Sequence, residues 1–490
     1  MNRRALGLLA ALLLAGNGAA ARAQALSECR VPGLRHSVQC GVLQRALDPA
    51  RPDGPKIEVH YVVAPAMARR KLPDPVFMLA GGPGQSATAL APNMLALFSR
   101  LNNRRDIVFV DQRGTGKTAP LECADPKRET LAEQADPERQ LTRLKECQAG
   151  LLKLLYIKAA SDLGFFTTTL AMQDLDAVRL RLGAERINLV GGSYGTRAAL
   201  EYARQFPQAV RRSVLDGVAP PDMVLPASFS TDGQAAFDKL LVDCERESAC
   251  AKAYPTLHAD WRALLSSLPR PVSAAHPLTG APERFTLTRE MVLAAVRGPL
   301  YAPAFAAAVP AAISAAAHGR FEALLGMGSL MSSRKGAQLA IGMHFSVVCA
   351  EDLPLLAKAG DPPGADFGAD QATLYKRACA DWPRGAVPAA FYGVPTAATP
   401  VLLLSGGLDP ATPPRHGDEV TKRLGPNALH VVVPNAGHGV MSLGCMRDVI
   451  YRFIDAGDDR QALAVDAACV KGSPRPLAFL PIGTDAGSAT

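Results

Sequence analysis

The stretch that decides the fold runs Ile187-Asn188-Leu189-Val190-Gly191-Gly192-Ser193-Tyr194-Gly195-Thr196. Residues 187–190 are mainly apolar and predict a short buried strand, and residues 196–206 predict a helix that ends before Pro207. The turn between them matches the pattern Gly-x-Ser-x-Gly, which places the hydroxyl of Ser193 on a sharp, strained and exposed turn. We therefore interpret Ser193 as a nucleophile. The alternative is a glycine-rich turn that packs a helix against a sheet.

Strands and helices alternate on both sides of this stretch. Residues 171–182 have the apolar spacing of a helix. Short apolar runs predict further strands at residues 76–80, 106–110, 213–215, 401–404 and 429–433. Alternating strands and helices imply a mostly parallel central sheet with helices on both faces, so the predicted class is α/β.

The alternation stops between about residues 220 and 395, where the chain is rich in Ala and punctuated by Pro. A stretch of about 175 residues is far too long for a loop, so we predict a large, mainly helical cap inserted between two halves of the core. The predicted units are a signal peptide (1–23), the first part of the core (24–219), the cap (220–395), the second part of the core (396–472) and a loose C-terminal tail (473–490).

The N-terminus predicts export. Two arginines lie in residues 1–4, an apolar run fills residues 5–15, and A-x-A cleavage candidates follow at residues 21–25. The run is too short to span about 30 Å of hydrocarbon, so we predict cleavage, no stable membrane anchor and a periplasmic or secreted protein. The alternative is a membrane anchor.

The cysteines agree with export, because their number is even and all ten follow the predicted cleavage site. We predict disulfides between sequence neighbours: Cys29–Cys40, Cys123–Cys147, Cys244–Cys250, Cys349–Cys379 and Cys445–Cys469. Neither a C-x-x-C motif nor a clustered Cys/His spacing occurs, so we expect no metal.

The composition excludes other classes of protein. Hydrophobic residues make up 48% and charged residues 20% of 490 residues, which excludes a disordered chain. The net charge of +8 is spread without a run of five or six like charges, and only 6% of the residues are aromatic. We therefore expect no nucleic-acid partner.

A serine nucleophile needs a general base, and the base needs an orienting acid. Asp409 follows the predicted strand at 401–404, and His438 follows the one at 429–433. The order Ser193, Asp409, His438 is that of an α/β-hydrolase sheet, and sites on such sheets lie beyond the carboxyl ends of the strands. Asp216, which also follows a strand, is the alternative acid.

The remaining histidines are interpreted as surface or core residues. His416 and His430 lie near the right place, but the first falls on a predicted helix and the second inside a strand. The other six are His36, His60, His258, His276, His318 and His344.

The oxyanion hole is expected to use two backbone N–H groups. One belongs to Tyr194, directly after the nucleophile, and the other to Gly82 in the loop after the strand at 76–80. The segment Gly114-Thr115-Gly116-Lys117-Thr118 is similar to the end of a phosphate loop, but Asp111 stands where that motif requires glycine. We interpret the turn at 111–114 as structural, with Arg113 in a buried ion pair.

Together these motifs resemble the exported branch of the proline iminopeptidase and tripeptidyl aminopeptidase family, which are α/β-hydrolase serine exopeptidases with a helical cap. The resemblance rests on segments 79–86 (LAGGPGQS), 111–116 (DQRGTG), 191–197 (GGSYGTR), 409–414 (DPATPP) and 437–439 (GHG). Proline iminopeptidases usually begin the oxyanion loop with His, where this chain has Ala80. This departure favours the tripeptidyl-aminopeptidase-like branch.

The resemblance implies that acidic residues of the cap bind the α-ammonium group of the substrate. Such a carboxylate would fix the distance between the free N-terminus and Ser193. Glu351 and Asp352 are the candidates, with Asp381 as a third. The alternative is a solvated acidic turn.

The sequence thus predicts an exported, monomeric serine aminopeptidase that acts on short peptides and needs no cofactor. An esterase or amidase for small molecules would use the same three residues and is the first alternative. A non-catalytic binding protein on a hydrolase fold is the second.

Overall fold

The computed structural model describes residues 26–125, 129–332 and 338–480 of the chain. The predicted signal peptide at 1–23 lies outside these residues. Within the described ranges, none of the helices combines the length and the apolarity needed to cross a membrane.

Eleven strands and eighteen α-helices make up the described chain. The strands are β1 (Ser27–Cys29), β2 (Val38–Ala46), β3 (Lys56–Ala64), β4 (Val76–Leu79), β5 (Ile107–Val110), β6 (Ile187–Gly192), β7 (Val210–Asp216), β8 (Arg270–Ala275), β9 (Pro282–Leu287), β10 (Val401–Gly406) and β11 (Ala428–Val433). The helices are α1 (Ala87–Leu97), α2 (Ser99–Asn102), α3 (Leu131–Ala135), α4 (Pro137–Leu151), α5 (Thr168–Arg181), α6 (Tyr194–Gln205), α7 (Ala227–Arg246), α8 (Ser248–Ala253), α9 (Leu257–Ser266), α10 (Arg289–Leu300), α11 (Pro303–Ala306), α12 (Val309–Ala317), α13 (Glu322–Ser332), α14 (Ile341–Val347), α15 (Asp370–Ala378), α16 (Pro414–Leu424), α17 (Met446–Asp455) and α18 (Asp459–Leu463).

A nine-stranded sheet forms the centre, in the order β1-β2-β3-β5-β4-β6-β7-β10-β11. The six strands from β5 to β11 run parallel to one another, and β1, β2 and β3 join antiparallel at the β5 side. All six strands predicted from apolar runs are present. Their carboxyl ends meet at one edge, where Gly192 pairs with Asp216 and Gly406 pairs with Val433.

The sheet divides the core into two layers, because successive side chains of a strand point to opposite faces. In β4, Phe77 and Leu79 pack into the cluster with α5 and α6, whereas Val76 and Met78 pack into the cluster with α1 and α17. Every side chain of β4 and β5 is buried. Burial on both faces explains why these strands read as continuous apolar runs rather than as alternating ones.

The stretch predicted as a cap is mainly helical, with β8 and β9 as an added hairpin. Helices α7 to α13 share a hydrophobic cluster of their own, which includes Phe237, Trp261 and Ile313. Residues further along, such as Phe345 and Trp382, pack instead into the cluster beneath the sheet. The cap boundaries at 220 and 395 stay a prediction.

The five predicted disulfides are confirmed, and none of the ten cysteines is free. Each cross-link stabilises the fold by about 2–4 kcal/mol through restriction of the unfolded chain. The Cys349–Cys379 bond joins a π-helical turn, Val348–Asp352, to the end of α15. Disulfides of this number fit an exported protein.

The tail differs from the expected loose segment over residues 473–480. Ser473 O accepts from Asn435 Nδ2 at 2.9 Å, and Arg475 Nη1 lies 2.7 Å from Asp243 Oδ2 in α7. Phe479 N donates to Ala307 O at 2.8 Å. This segment therefore ties the second part of the core to the helices of the insertion.

Candidate active site

The turn after β6 has the strained geometry that the sequence motif predicts. Ser193 has φ 55° and ψ −124°, a positive φ that a non-glycine residue rarely adopts. A Cβ atom at Gly191 would lie 2.4 Å from Gly195 O, and one at Gly195 would lie 2.2 Å from Leu79 O. Both glycines are therefore required by close backbone contacts. Strain of this kind costs about 1–3 kcal/mol and is typical of functional sites.

Hydrogen bonds hold this turn against β7. Ser193 N donates to Asp216 O at 2.8 Å, and Ser193 O accepts from Thr196 Oγ1 at 2.6 Å. Thr196 Oγ1 in turn accepts from Ala219 N at 2.8 Å. The backbone of the nucleophile is thus fixed by the neighbouring strand and by the loop that follows it.

His438 and Asp409 are hydrogen-bonded, with 2.8 Å between Nδ1 and Oδ2. The buried Asp409 carboxylate also accepts from Ala411 N at 2.8 Å, Thr412 N at 2.9 Å and Thr412 Oγ1 at 2.9 Å. Because Nδ1 of His438 faces Asp409, its Nε2 is left to act as the base.

The pair shifts the pKa values of both partners. Burial acts to raise the pKa of Asp409, but the charge and hydrogen bond of His438 hold it below its usual value. Burial acts to lower the pKa of His438, but Asp409 outweighs it, with a smaller contribution from Asp216, and the net shift is upward. Each group thus favours the charged form of the other.

Asp216, the alternative acid, contacts the backbone of the loop that carries His438. Its carboxylate accepts from Val440 N and Met441 N, each at 2.9 Å, and so holds the loop just after His438. Burial raises the pKa of Asp216 to about 6, although the hydrogen bonds from these two N–H groups act to lower it. Since Asp216 O also accepts from Ser193 N, one residue anchors the backbones that carry the nucleophile and the base.

The expected oxyanion donors lie at the start of α6 and in the loop after β4. Tyr194 is the first residue of α6, where helix N–H groups have no partner within the helix. Gly82 has φ 112°, and a Cβ atom there would lie 2.8 Å from Gly84 N. The backbone at Gly82 thus turns in a way that favours glycine. A Cβ atom at the preceding Gly81 would lie 3.2 Å from Ser193 Cβ, so this loop lies beside the turn of Ser193.

Glu351 and Asp352 lie in the π-helical turn, with exposures of 1% and 0%. Asp352 Oδ1 and Oδ2 accept from Arg197 Nη1 at 3.1 and 3.2 Å. Glu351 accepts from Thr168 N at 2.7 Å and from Thr168 Oγ1 at 2.9 Å. The alternative of a solvated acidic turn is therefore wrong for both residues, and their binding of a substrate ammonium stays a prediction.

Burial dominates the chemistry of these two carboxyl groups. It raises the pKa of Glu351 to about 7, and it raises the pKa of Asp352 despite the neighbouring Arg197. Thr168 Oγ1 also lies 2.5 Å from Tyr194 Oη, so Glu351 connects to the residue after the nucleophile. Asp381, the third candidate, is exposed. It lies two residues after Cys379 and outside the π-helical turn.

The turn at 111–114 is structural, as predicted. Arg113, which is 1% exposed, binds Asp174 through Nε at 2.8 Å and Nη2 at 3.0 Å. Asp111 accepts from Ser86 Oγ at 2.7 Å and from Thr88 N at 3.0 Å. In the described ranges, no group of His, Cys, Asp and Glu side chains is arranged to hold a metal ion.

Side chains that belong to none of the sequence motifs contact His438 and the loop after β4. Tyr301 follows α10, its carbonyl accepts from His438 N at 2.8 Å, and its ring meets the His438 ring edge-on at 5.0 Å. His344 places Nε2 2.8 Å from Tyr375 Oη and Nδ1 3.3 Å from Pro83 O, next to Gly82. Burial lowers the pKa of His344 to about 4, so it is neutral. No motif marks these residues, because only the folded chain brings them together.

Comparison with known proteins agrees with this architecture. Residues 74–244 match the family described as alpha/beta hydrolase fold, and residues 364–469 match the family described as TAP-like protein. The chain has the α/β-hydrolase fold. The two matches cover the Gly-x-Ser-x-Gly turn and the Asp409–His438 pair of this α/β-hydrolase, and they confirm the resemblance drawn from its motifs.

Curated relatives of this α/β-hydrolase include peptidases. The tripeptidyl aminopeptidase of Streptomyces lividans is 31% identical over 192 residues, which is 38% of this chain and 36% of the relative. Serine protease Hip1 of Mycobacterium tuberculosis is 28% identical over 248 residues, 47% of each chain. A probable proline iminopeptidase of Streptomyces coelicolor is 30% identical over 145 residues, 30% of this chain and 33% of the relative. The matches thus span less than half the length of these relatives.

Proposed function

We propose that this α/β-hydrolase is an exported serine peptidase that cleaves short peptides from their N-terminus. The observation that carries the proposal is the strained Ser193 turn next to the hydrogen-bonded pair of His438 and Asp409 at the same sheet edge. Three separate strand ends supply these groups, an arrangement that acyl transfer requires and a packing turn does not.

In the proposed mechanism, Ser193 Oγ attacks the carbonyl carbon of the scissile peptide bond and gives its proton to His438 Nε2. Asp409 stabilises the imidazolium, and the N–H groups of Gly82 and Tyr194 stabilise the oxyanion. His438 then protonates the leaving amine as the C–N bond breaks. Water, deprotonated by His438, hydrolyses the resulting acyl-enzyme and restores the Ser193 hydroxyl.

Three observations support the finer parts of the proposal. The relatives are named as an aminopeptidase, a serine protease and an iminopeptidase, which favours peptides over other acyl substrates. The helices around Tyr301 cover the site and would restrict entry to short or unfolded peptides. The disulfides fit export, and we propose a monomeric protein in the periplasm or outside the cell.

The proposal is tested with aminoacyl-, dipeptidyl- and tripeptidyl-arylamides, each with a free and an acetylated N-terminus, and with p-nitrophenyl esters. We expect hydrolysis of the free-amine arylamides, its loss in Ser193→Ala, and little hydrolysis after acetylation. Equal rates with and without acetylation would contradict cleavage from the N-terminus. Activity on esters alone would identify an esterase instead.

The proposed ammonium contact has its own test in Glu351→Gln, which keeps the size of the side chain and removes its charge. If Glu351 binds the substrate ammonium, KM for free-amine substrates rises at least tenfold while KM for the same esters is unchanged. An equal loss on both substrate types would show that Glu351 supports the fold of the site and does not bind the amine.

A further inference from the structure

Arg297 in α10 is a half-buried cation without a counter-ion. Its Nη2 donates to Tyr301 Oη at 3.1 Å, and its Nε atom is buried without a hydrogen-bond partner. In the part of the chain that the structure describes, no carboxylate forms an ion pair with it. Because a buried charge is costly unless it is paired, a guanidinium in this state is suited to a partner that comes from outside the chain.

Aromatic rings hold this guanidinium in place. Its central carbon lies 4.3 Å from the ring centroid of Phe229 in α7 and 5.5 Å from that of Tyr301. Contact with these rings restricts the movement of the guanidinium. The group is thus arranged in advance as a planar donor.

The guanidinium lies next to the proposed catalytic residues. Tyr301, which it contacts, touches His438 through both its carbonyl and its ring. The charge of Arg297 acts to lower the pKa of His438, so Arg297 lies within electrostatic range of the proposed base. An acyl group bound at the proposed catalytic residues would therefore lie within the electrostatic field of Arg297.

We infer that Arg297 binds a carboxylate of the substrate beside the catalytic residues. An Arg fork matches a carboxylate in two parallel hydrogen bonds, and such pairs are strong when water is partly excluded. The carboxylate belongs to an acidic side chain near the scissile bond or to the C-terminus of a very short peptide. The inference rests on the proposed peptidase function, to which it adds a substrate class.

The same charge constrains where the substrate's N-terminus binds. An ammonium group near Arg297 would be repelled, so the free amine must lie on another side of the site. Glu351, which is linked to Tyr194 through Thr168 and not through Tyr301, is the candidate for that contact.

The test uses matched peptides that differ only in charge: Glu against Gln on either side of the scissile bond, and a free C-terminus against a C-terminal amide. We expect the wild-type enzyme to cleave at least one carboxylate peptide about ten- to a hundredfold more efficiently than its neutral match. The position at which the preference occurs identifies the source of the carboxylate.

In Arg297→Met, kcat/KM for the preferred carboxylate peptide should fall to that of its neutral match, whose own rate changes less than about threefold. Arg297→Lys keeps the charge without the fork and should retain part of the preference. Arg284→Gln, an exposed arginine in β9, makes a comparable charge change away from the site and should leave the preference intact.

An equal loss on charged and neutral peptides in Arg297→Met would overturn the inference and leave Arg297 a packing residue between α7 and α10. The absence of any charge preference in the wild-type enzyme would overturn it as well. If the wild type cleaves no peptide, the proposed function fails, and calorimetric titration with glutarate against glutaramide still tests Arg297. Binding of glutarate that Arg297→Met loses supports the inference, and equal behaviour of the two proteins contradicts it.

Discussion

At the residue scale, the proposed role of His438 as the general base, paired with Asp409, predicts how activity depends on pH. The base must be neutral to accept a proton, and the Asp409 carboxylate raises the pKa of His438 above its ordinary value of 6.5. Activity is therefore lost as the pH falls through this raised pKa. We expect the acidic limb of kcat/KM to have its midpoint above pH 6.5, measured between pH 5 and 9 with an uncharged ester.

The matched variant is Asp409→Asn, which removes the charge and allows the wrong imidazole tautomer. It should lower kcat by about 10⁴-fold without loss of folding. A wild-type limb below pH 6.5, or an Asp409→Asn variant of normal activity, would show that this pair does not form the base.

The buried carboxyl group of Glu351 leads to a second prediction, on how the stability of the fold depends on pH. Its pKa is about 7 in the folded protein against an ordinary 4.5, so between these values the folded state binds more protons than the unfolded state. The stabilisation is complete below pH 4.5 and is lost as the pH rises through 7. Between pH 4.5 and pH 8, the free energy of unfolding of the wild type should fall by about 3 kcal/mol more than that of Glu351→Gln.

Urea unfolding at these two pH values measures the difference, with the disulfides kept oxidised. Glu185→Gln is the control, because Glu185 is exposed. Parallel pH dependences in the wild type and Glu351→Gln would mean that the buried carboxyl group has no raised pKa.

The residues of the site differ in how far the sequence could predict them. Ser193, Asp409 and His438 stand in short motifs after apolar strands, so their placement at one sheet edge followed from the pattern. Tyr301 and Arg297 lie in an Ala-rich helical stretch without a motif. Their positions depend on how the end of α10 meets the loop that carries His438, which local sequence does not encode.

At the element scale, the Cys349–Cys379 disulfide anchors the turn that carries Glu351 and Asp352. It closes a loop of 30 residues, whereas Cys244–Cys250 closes one of only 6. By chain entropy the first should contribute about 3–4 kcal/mol and the second about 2 kcal/mol. Replacing each pair by Ser should therefore lower the melting temperature more for Cys349/Cys379.

The Cys349/Cys379 variant should also lose activity, because the turn that carries Glu351 and Asp352 is no longer anchored by the disulfide. Scanning calorimetry and a rate assay on both double variants make the comparison. A larger loss of stability in the Cys244/Cys250 variant would contradict this ranking.

Elements with continuous apolar runs were predictable, and amphipathic ones were less so. Strands β4, β5 and β10 are buried on both faces and stand out in the sequence. Strands β1 to β3 were not predicted, because β2 is only partly buried and β3 is apolar throughout only in its second half. They form an antiparallel series in which only β3 pairs with β5, and a search for strand–helix alternation does not detect it.

At the scale of the whole molecule, residues 473–480 join the second part of the core to the inserted helices. This segment forms one wall of a groove whose other walls include Leu240, Leu300 and Ala306. Deletion of residues 473–490 should therefore expose the groove, lower the melting temperature by several degrees and speed proteolysis of α7 to α12.

The point variant Arg475→Ala, which breaks the ion pair with Asp243, should reproduce part of this effect. Leu477→Ala is the control, because Leu477 is 76% exposed. Unchanged melting and proteolysis after the deletion would show that the segment lies on the surface without stabilising it.

The central claim is that Ser193, activated by His438, forms a covalent acyl-enzyme. It is tested most directly by intact-protein mass spectrometry after treatment with a fluorophosphonate, followed by peptide mapping. We expect one adduct per chain, located on Ser193, absent in Ser193→Ala and formed at least a hundredfold more slowly in His438→Ala. No adduct on the folded wild-type protein, or an adduct on another residue, would contradict it.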